Sequence, residues 1–423
     1  MAEIMVAVMP FAGHVAPVLA VVSEFVARGH TVRVYTGAAY ADRFAQAGAH
    51  GVLWNDAPDF DEHDLAATFP QLRGRKGPRQ TLANLEHLFI RTGAAQHRDL
   101  MRAWEERPWQ LLVADSLSCG TALVAESTPA PWATFSLVPL TTPSPDLPPA
   151  GLGIRPGVGH LGRARDAALR GAFSLLGRGL HRAWNETRAS AGLVSTTTRF
   201  DSAWVSPTLT CVAGLASLDF PRSDLPDTTH YVGTVRTTIP TLPRRPPWWP
   251  DVESATTPIV HVTQGTLNVD PNDLLRPAMI GLADAPVLVV AATGPAAQPM
   301  AGFKIPSNAR VAGFLNYDEL LPRTSVMITN GGWGGVLAAL SHGIPLIVAG
   351  GDIDKPEIAA RIAYNGVGID LRTGTPTPEA IAAAYRKLTS SPSFHAAAGR
   401  VADELAASGG AGEIVARCEV LIR

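Results

Sequence analysis

Short, continuous apolar runs recur along the chain and alternate with stretches of helical periodicity. Near the N-terminus, residues 4–9 and 31–35 are runs of the kind found in parallel strands that are buried on both faces. Between them, residues 18–25 carry a helical stripe of apolar side chains, with Pro17 suited to the first turn and Gly29 at the end. This strand–helix–strand order predicts the start of a doubly wound parallel sheet.

The alternation continues, with two interruptions. Residues 110–114 and 132–137 are predicted strands of the same sheet, separated by a helix over 120–126. Proline and glycine then crowd residues 139–162, which predicts a long surface loop, and a helical stretch follows over about 165–191. After a second proline-rich segment, short apolar runs predict another parallel sheet, at residues 259–263, 287–291, 310–312, 326–329 and 346–349.

The predicted fold class is therefore α/β, with two Rossmann-like, doubly wound parallel-sheet domains that face each other across a cleft. We expect an N-terminal domain over residues 1–236, a proline-rich linker over 237–258 and a C-terminal domain over 259–400. Residues 401–423 are predicted to form a C-terminal helix, for which one placement is back against the N-terminal domain. A length of 423 residues suits two domains of ordinary size.

Charge and cysteine usage favour a small-molecule ligand. The formal net charge of −2 gives no basic field for nucleic acid or an anionic membrane surface. No apolar run approaches the roughly 20 residues that cross a bilayer. The three cysteines, Cys119, Cys211 and Cys418, share no metal-ligand spacing, so buried reduced thiols are expected. We therefore expect a cytoplasmic protein without stable membrane insertion; the sequence leaves its oligomeric state open.

Two polar residues follow predicted strands of the first sheet. His14 lies in the loop after the first strand, and Asp115 ends the strand at 110–114. Ligands of open α/β sheets bind beyond the carboxyl ends of the strands, so both side chains are expected in one crevice. An aspartate behind a histidine fixes its tautomer and stabilises the imidazolium, which predicts a catalytic base. The alternatives are a turn histidine bonded to backbone and an aspartate that only caps the next helix.

The second domain carries a glycine-rich turn between a strand and a helix. Residues 330–335 can bring backbone amides close to a ligand before a helix predicted over 336–342, and helix N-termini attract phosphate. Asp352 and Asp354 follow the next strand and suit the hydroxyls of a sugar. The alternative for this acidic pair is Mg²⁺ or Mn²⁺ held against a diphosphate. Further strand ends carry Gly265 and Thr266, which suit a diphosphate, and Phe314 with Leu315, of which Phe314 offers an apolar wall for a base.

Five segments together resemble family 1 glycosyltransferases of the GT-B fold, which include antibiotic, flavonoid and sterol glycosyltransferases. They are PFAGHVAPVLAVVSEFVARGHTV, LLVADSLSCGTALVAE, HVTQGT, VAGFLNYDELLP and ITNGGWGGVLAALSHGIPLIVAGGDIDK, and the likeness runs over nearly the whole chain. The resemblance implies that His14 is the general base and Asp115 its partner. It places the donor in contact with Gly265, Thr266, Phe314, Leu315, Asn330, Gly332, Trp333, Gly334, Gly335, Asp354 and Lys355.

The chain departs from the family pattern at several donor positions. Asn330 stands where a histidine usually touches the diphosphate, and Gly334 with Gly335 replaces a common polar pair. Ala338 stands where an acid or glutamine often holds the ribose, and Lys355 where glutamine is common. These departures leave the nucleotide and the sugar open.

The expected reaction is an inverting, metal-independent transfer of a hexose, first of all glucose from UDP-glucose, to a hydroxyl of a hydrophobic small molecule. A polyketide, phenolic, flavonoid or sterol-like acceptor is expected beside Phe11, Phe89, Trp132 and Phe135, under the loop at 139–162. No cofactor or metal is expected beyond the nucleotide sugar. The alternatives are a dTDP-deoxysugar transferase, a nucleotide-sugar hydrolase or epimerase, and a non-catalytic partner of another transferase. Transfer to an atom other than oxygen also stays open.

Overall fold

Two parallel β-sheets organise the chain. The computed structural model describes residues 1–75, 77–236, 244–265, 268, 270–294, 300, 302–351 and 353–422. Within these residues, one sheet has seven strands and the other has six. Every strand pair in both sheets is parallel, so the predicted α/β class with two Rossmann-like sheets is confirmed.

The first sheet has the strand order β3-β2-β1-β4-β5-β6-β7. Its strands are β1 (Glu3–Ala7), β2 (Thr31–Thr36), β3 (His50–Leu53), β4 (Leu111–Asp115), β5 (Trp132–Ser136), β6 (Leu209–Val212) and β7 (Thr229–Tyr231). Its helices are α1 (Ala12–Ala27), α2 (Ala38–Gln46), α3 (Leu65–Thr68), α4 (Pro78–Ala83), α5 (Gly93–Glu106), α6 (Gly120–Ser127), α7 (Gly159–Leu176), α8 (Arg178–Ser190) and α9 (Phe200–Ala203). A π-helix, Asn84–Ile90, joins α4 to the segment before α5.

The second sheet has the strand order β10-β9-β8-β11-β12-β13. Its strands are β8 (Ile259–Thr263), β9 (Leu288–Ala292), β10 (Ala309–Ala312), β11 (Thr324–Thr329), β12 (Leu346–Val348) and β13 (Gly368–Asp370). The helices of this half are α10 (Trp249–Glu253), α11 (Leu275–Gly281), α12 (Tyr317–Leu320), α13 (Trp333–Leu340), α14 (Lys355–Tyr364), α15 (Pro378–Thr389), α16 (Pro392–Ala406) and α17 (Gly410–Val420).

The alternating side chains of β1 explain why its run is apolar throughout. Ile4 and Val6 enter one buried cluster with α1, whereas Met5 and Ala7 enter a second cluster on the opposite face of the sheet. Both faces are therefore covered by helices, as a parallel sheet requires. The first of these clusters continues into the second half of the chain, where it includes Trp333 and Val336 of α13.

Three helices differ from their predicted bounds. Helix α1 begins at Ala12, so His14 lies in its first turn and Pro17 lies inside the helix rather than in the first turn. The stretch predicted as one helix over 165–191 is two helices, α7 and α8, which meet at Gly177. Helix α13 begins at Trp333, three residues before the predicted start, and ends before Gly343. The turn that precedes α13 is therefore shorter than the sequence pattern indicated.

The chain crosses between the two halves twice, at neighbouring places. After α16, the amide of Gly410 donates to the carbonyl of Val232 at 2.8 Å. A Cβ at Gly233, where φ is +79°, would lie 2.2 Å from Cβ of Ser408, so this close approach requires glycine. Helix α17 then packs against α1, and Glu419 of α17 accepts hydrogen bonds from Arg28 and His30.

Part of the segment predicted as a linker is helical. Within residues 244–258, α10 buries Trp249 and Val252 in a cluster with Ile259 of β8 and Leu288 of β9. The indole N–H of the adjoining Trp248 donates to the carbonyl of Val311 at 3.1 Å. This portion of the segment therefore packs on the second sheet, whereas residues 237–243 lie outside the described residues.

Candidate active site

His14 and Asp115 are brought together by the ends of β1 and β4. The Nδ1–H of His14 donates to Oδ2 of Asp115 at 2.6 Å. The buried carboxylate is itself oriented by two backbone amides, because Met9 donates to Oδ2 at 3.2 Å and Leu117 donates to Oδ1 at 3.1 Å. The His14 ring is thus bonded to a carboxylate rather than to backbone. This hydrogen bond leaves Nε2 as the proton acceptor of the ring.

The surroundings of His14 strengthen it as a base. Burial is the largest single effect on the pKa of His14 and lowers it, whereas the charge and hydrogen bond of Asp115 raise it. The carboxylates of Asp354 and Glu62 act in the same direction, so the pKa of His14 is raised above its ordinary value of 6.5. Asp354 belongs to the second half of the chain. Its charge therefore acts on His14 from across the cleft.

Glu62 is a site residue that the sequence pattern did not indicate. Its carboxylate accepts the backbone N–H of Ala12, the first residue of α1, at 3.1 Å, and the hydroxyl of Tyr40 also donates to it. A carboxylate at a helix N-terminus is stabilised by the unpaired amides there. Glu62 therefore fixes the start of the helix that carries His14. No local sequence motif predicts this contact, because the two partners are 50 residues apart.

A group of aromatic rings packs next to His14. The ring centroid of Phe11 lies 5.6 Å from that of His14, 5.1 Å from that of Phe60 and 6.3 Å from that of Phe89. Phe89 is carried by the π-helix Asn84–Ile90, a rare element that is frequent at functional sites. Phe11 therefore lies beside the predicted base, with the partly exposed Phe89 next to it. Phe60, which is buried like Phe11, is an aromatic neighbour that the sequence prediction missed.

Two predicted acceptor residues lie elsewhere. Trp132 is the first residue of β5, at the edge of the sheet opposite to the carboxyl ends, and its side chain is buried. Phe135 is paired with Asp115 in the sheet, but its ring is buried in the core on the α1 side. The prediction that Trp132 and Phe135 contact the acceptor is therefore wrong, because neither ring opens onto the cleft.

The donor half of the cleft begins with two strand-end loops that touch. One amide hydrogen of Asn330 is donated to the backbone carbonyl of Gln264. A Cβ on Gly265 would lie 3.2 Å from the Asn330 amide nitrogen, so the loops after β8 and β11 are in contact. Asn330 thus ties the two loops together, in addition to any contact with a diphosphate. Thr266 lies outside the described residues.

The N-terminus of α13 presents backbone amides at the same edge of the sheet. Its first intrahelical hydrogen bond runs from the Val336 amide to the Gly332 carbonyl at 3.0 Å. The amides of residues 333–335 precede that bond and have no partner within the helix. The Trp333 side chain points away from them, since its indole N–H donates to the Ala213 carbonyl at 2.8 Å. At Trp333, only the backbone amide is therefore placed to contact the nucleotide sugar.

The remaining predicted donor residues surround this turn. Phe314 is 54% exposed at the end of β10, whereas Leu315 packs against the Trp248 and Trp249 cluster. Asp354 is the N-cap residue of α14, and Lys355 begins that helix. Asp352 lies outside the described residues.

The residue between the two acids is strained. Ile353 has φ +55°, in the left-handed region that a β-branched side chain rarely adopts. Such strain costs on the order of 1–3 kcal/mol and is concentrated at functional sites. The conformation of Ile353 sets the direction in which the chain enters α14. We therefore regard the strain as part of how Asp354 is presented to the cleft.

A cleft between two Rossmann-like domains, with a histidine–aspartate pair on one side and helix-terminal amides on the other, defines the class of GT-B glycosyltransferases. Comparison with known proteins gives the family. Residues 279–421 match the family described as "Erythromycin biosynthesis protein CIII-like, C-terminal domain". The 4'-demethylrebeccamycin synthase of Lentzea aerocolonigenes is 36% identical over 408 residues, which cover 96% of each chain.

A further relative supports the family, and a solved structure supports the fold. UDP-glucosyltransferase B1 of Starmerella bombicola is 31% identical over 94% of this chain and 93% of its own. The crystal structure of CalG4, the calicheamicin glycosyltransferase, has a TM-score of 0.74 at 22% identity, over 100% of this chain and 98% of that one. The chain belongs to the family 1 glycosyltransferases of the GT-B fold and is a glycosyltransferase, as the sequence motifs predicted.

Membrane-spanning helices and clusters of metal-ligating side chains are both absent from the described residues. Within the part of the chain that the structure describes, no helix is long and apolar enough to cross a membrane. Over the same residues, no group of three or more histidine, cysteine, aspartate or glutamate side chains is gathered as metal ligands. Cys119, Cys211 and Cys418 are free and buried.

Proposed function

We propose that this glycosyltransferase moves a hexose, in the first instance glucose from UDP-glucose, to a hydroxyl of a hydrophobic small molecule, with inversion and without a metal ion. The observation that carries the proposal is the 2.6 Å hydrogen bond between His14 and the buried Asp115 at the mouth of the cleft. It provides an oriented base where a nucleophile needs deprotonation. The names of the relatives, a UDP-glucosyltransferase among them, support the donor class.

The chemistry follows from the two sides of the cleft. Nε2 of His14 accepts the proton of the acceptor hydroxyl, and Asp115 stabilises the imidazolium that results. The acceptor oxygen forms a bond to the anomeric carbon while the bond from that carbon to the diphosphate oxygen breaks. A single displacement of this kind inverts the anomeric centre. The charge that develops on the leaving diphosphate is met by the amides at the start of α13.

Asp354 is assigned to the donor sugar. It lies at the N-cap of α14, and its charge reaches His14. A carboxylate at this point can accept hydrogen bonds from sugar hydroxyls while the anomeric carbon faces the base. Phe314, largely exposed at the end of β10, is available as a wall for the nucleobase, with Leu315 behind it.

The acceptor is assigned to the side of the cleft formed by Phe11, Phe60 and Phe89. The ring of Phe11 lies 5.1 Å from that of Phe60 and 6.3 Å from that of Phe89, and such a group favours an aglycone with flat aromatic or otherwise apolar surface. Polyketide, phenolic and sterol-like compounds meet that requirement. The name of one full-length relative, 4'-demethylrebeccamycin synthase, is in keeping with a natural-product acceptor.

The test is a mass-spectrometric screen of UDP- and dTDP-sugars against phenolic, polyketide and sterol acceptors, with and without EDTA. Both nucleotides are included because Ala338, at the position that often holds the ribose, is buried in the core. A product heavier than its acceptor by one hexosyl unit supports the proposal. Release of UDP that needs no acceptor would favour a hydrolase instead, and loss of activity in EDTA with rescue by Mg²⁺ would refute metal independence.

The matching variant is His14→Ala, which should lower turnover by roughly 10²–10⁴-fold because the base is lost. Donor binding should be retained. Near-normal turnover of this variant would remove His14 from the reaction.

A further inference from the structure

The long proline-rich loop of the N-terminal half is fastened to the helix that follows the donor aspartate. Residues 139–158 precede α7, and α14 begins one residue after Asp354. Glu357 of α14 accepts hydrogen bonds from two amides of this loop, at 3.0 Å from Gly151 and at 2.8 Å from Gly153. The loop that is expected to shape the acceptor pocket is thus hydrogen-bonded to a carboxylate of α14, the helix that begins after Asp354.

A buried guanidinium extends this contact to the first sheet. Arg361, one turn after Glu357 on α14, donates from Nη1 to the Glu357 carboxylate at 2.8 Å and from Nε to Asp219 at 2.7 Å. Asp219 also accepts the hydroxyl of Tyr231 on β7 at 2.7 Å. The three ionic side chains are nearly inaccessible, with exposures of 3% for Arg361, 8% for Asp219 and 11% for Glu357.

Apolar and aromatic side chains pack around the ionic network of Glu357, Arg361 and Asp219. The guanidinium of Arg361 lies 4.4 Å from the ring centroid of Phe220, and Phe220 meets Tyr364 at 5.2 Å between centroids. At Gly153, where φ is +60°, a Cβ would lie 2.6 Å from Cβ of Pro356, so the loop touches the first turn of α14 directly. Such contacts shield the network from bulk water, and hydrogen bonds to charged groups are stronger where the local dielectric constant is low.

We propose that Glu357 and Arg361 are positioning residues that couple the acceptor loop to the donor-sugar site. The chain of contacts runs from Gly151 and Gly153 through Glu357 and Arg361 to Asp219. A change at Asp354 on sugar binding is passed to α14 and hence to the loop, and order in the loop holds Asp354 opposite His14. This proposal rests on the proposed function, because it takes Asp354 as a contact of the donor sugar.

A buried ionic network of this kind is better suited to positioning than to stability. Desolvation of buried ions offsets much of their attraction, so apolar residues of similar size often serve stability equally well. The ionic network orients its partners more strictly than apolar packing would, because each hydrogen bond fixes a direction as well as a distance. Removal of one partner leaves a buried charge uncompensated. Because the amides of Gly151 and Gly153 donate to Glu357, their hydrogen exchange reports directly on the network.

The experiment is hydrogen–deuterium exchange of the full-length protein with and without UDP-glucose, on peptides that cover residues 147–158 and the start of α13. In the wild type, UDP-glucose should slow exchange at both places. Glu357→Gln should accelerate exchange of the loop by about tenfold or more, since a hydrogen bond to a charged acceptor is lost or weakened. UDP-glucose should then still slow exchange at α13 and leave the loop unchanged.

Two controls separate positioning from folding. Glu413→Gln alters another glutamate–arginine pair four residues apart, Glu413 with Arg417 on α17, and should leave the loop response intact. The triple variant Asp219→Asn, Glu357→Leu, Arg361→Met replaces the network by apolar packing. It should keep the wild-type melting temperature within a few degrees while the loop response to UDP-glucose disappears.

The outcomes are distinct. A loop that responds to UDP-glucose in the triple variant as it does in the wild type overturns the coupling. A wild-type loop that stays unchanged while α13 is protected overturns it as well, with the donor site left standing. If UDP-glucose protects neither peptide, the proposed donor site itself fails and the coupling fails with it.

Discussion

The replacement Asp115→Asn tests the base assignment most directly. The carboxylate of Asp115 meets three donors, namely His14 and Met9 at Oδ2 and Leu117 at Oδ1. An asparagine has one acceptor oxygen and one NH₂ group, so its NH₂ must face either His14 and Met9, at the position of Oδ2, or Leu117, at the position of Oδ1. If the NH₂ faces His14, the ring is forced into the tautomer with the proton on Nε2, and the base is lost.

The magnitude follows from that geometry. A histidine held in the wrong tautomer, without the carboxylate that stabilises its imidazolium, is expected to cost about 10²–10⁴ in kcat. That loss corresponds to roughly 3–5 kcal/mol of barrier, at about 1.4 kcal/mol per factor of ten. If the NH₂ faces Leu117 instead, the base stays intact but a buried amide loses its acceptor, at about 1–3 kcal/mol of stability. In either orientation the acidic limb of the rate profile must move.

The direction of that movement is fixed by the charges. The base acts when neutral, so the rate falls as pH drops through the pKa of His14. Asp115 raises that pKa, and its neutralisation should shift the acidic limb of kcat/KM to lower pH. The assay is the rate of product formation from UDP-glucose and an acceptor found in the screen, between pH 5 and pH 9.

Asp99→Asn is the matched control. Asp99 is likewise buried and accepts the hydroxyl of Tyr35 at 2.8 Å together with the backbone amides of residues 55–57. It is not among the carboxylates that shift the pKa of His14. Its replacement should lower stability and leave kcat and the pH profile unchanged. If Asp115→Asn behaves like Asp99→Asn, the reasoning about the base is refuted.

Three further predictions follow from other parts of the structure. Asp354→Ala should raise KM for UDP-glucose while the affinity for UDP alone is retained, measured by calorimetry; unchanged donor kinetics would remove Asp354 from the site. Trp333→Phe loses the hydrogen bond to Ala213 and should lower the melting temperature by a few degrees, whereas an unaltered melting curve would contradict an anchoring role. Burial lowers the pKa of His261 to about 4, so the unfolded chain binds more protons between pH 6.5 and 4 and stability falls as pH falls through that window. Urea unfolding at pH 6.5 and pH 5 should show a loss of about 2 kcal/mol that His261→Asn removes, and an equal loss in the variant would contradict this origin.

The strands that could be predicted are those that are buried on both faces and therefore consist of consecutive apolar residues. The run at 4–9 is apolar because both faces of β1 are covered, and the structure places the strand there. Strands β3, β7 and β13 were not predicted, because they lie at the edges of their sheets and are at most partly buried. Strand β6 was also not predicted although it is buried, because it is only four residues long and Thr210 interrupts its apolar run. Edge strands need less apolar sequence, so the continuous-run signal disappears.

The catalytic pair could be predicted for a related reason. His14 and Asp115 each follow a strand, and the rule that parallel strands end at one edge is enough to bring them together. The same rule, applied more strictly, would have excluded Trp132, since it stands at the beginning of β5 and not at its end. Phe135 has no such signal, because a buried aromatic residue in a central strand can face either side.

The contacts that could not be predicted join segments far apart in the chain. Glu62 reaches α1 from a loop 50 residues away, and Arg361 bonds to Asp219 across 142 residues. A glutamate and an arginine four residues apart on a helix resemble an ordinary surface pair. Nothing in the local sequence separates the buried pair of α14 from the partly exposed pair of α17.

The two places where the chain passes between the domains lie side by side, and this arrangement has a mechanical consequence. The first passage runs by Val232 and Gly233, and the second, at Ser408 and Gly410, is hydrogen-bonded to it. Two connections at one place resist separation of the halves but contribute little resistance to rotation about that place. The resistance to rotation must therefore come from contacts farther away, such as the hydrogen bond from Trp333 to Ala213 and the ion pair of Arg361 with Asp219. The side-by-side connections thus leave the relative orientation of the two halves to side-chain contacts across the cleft.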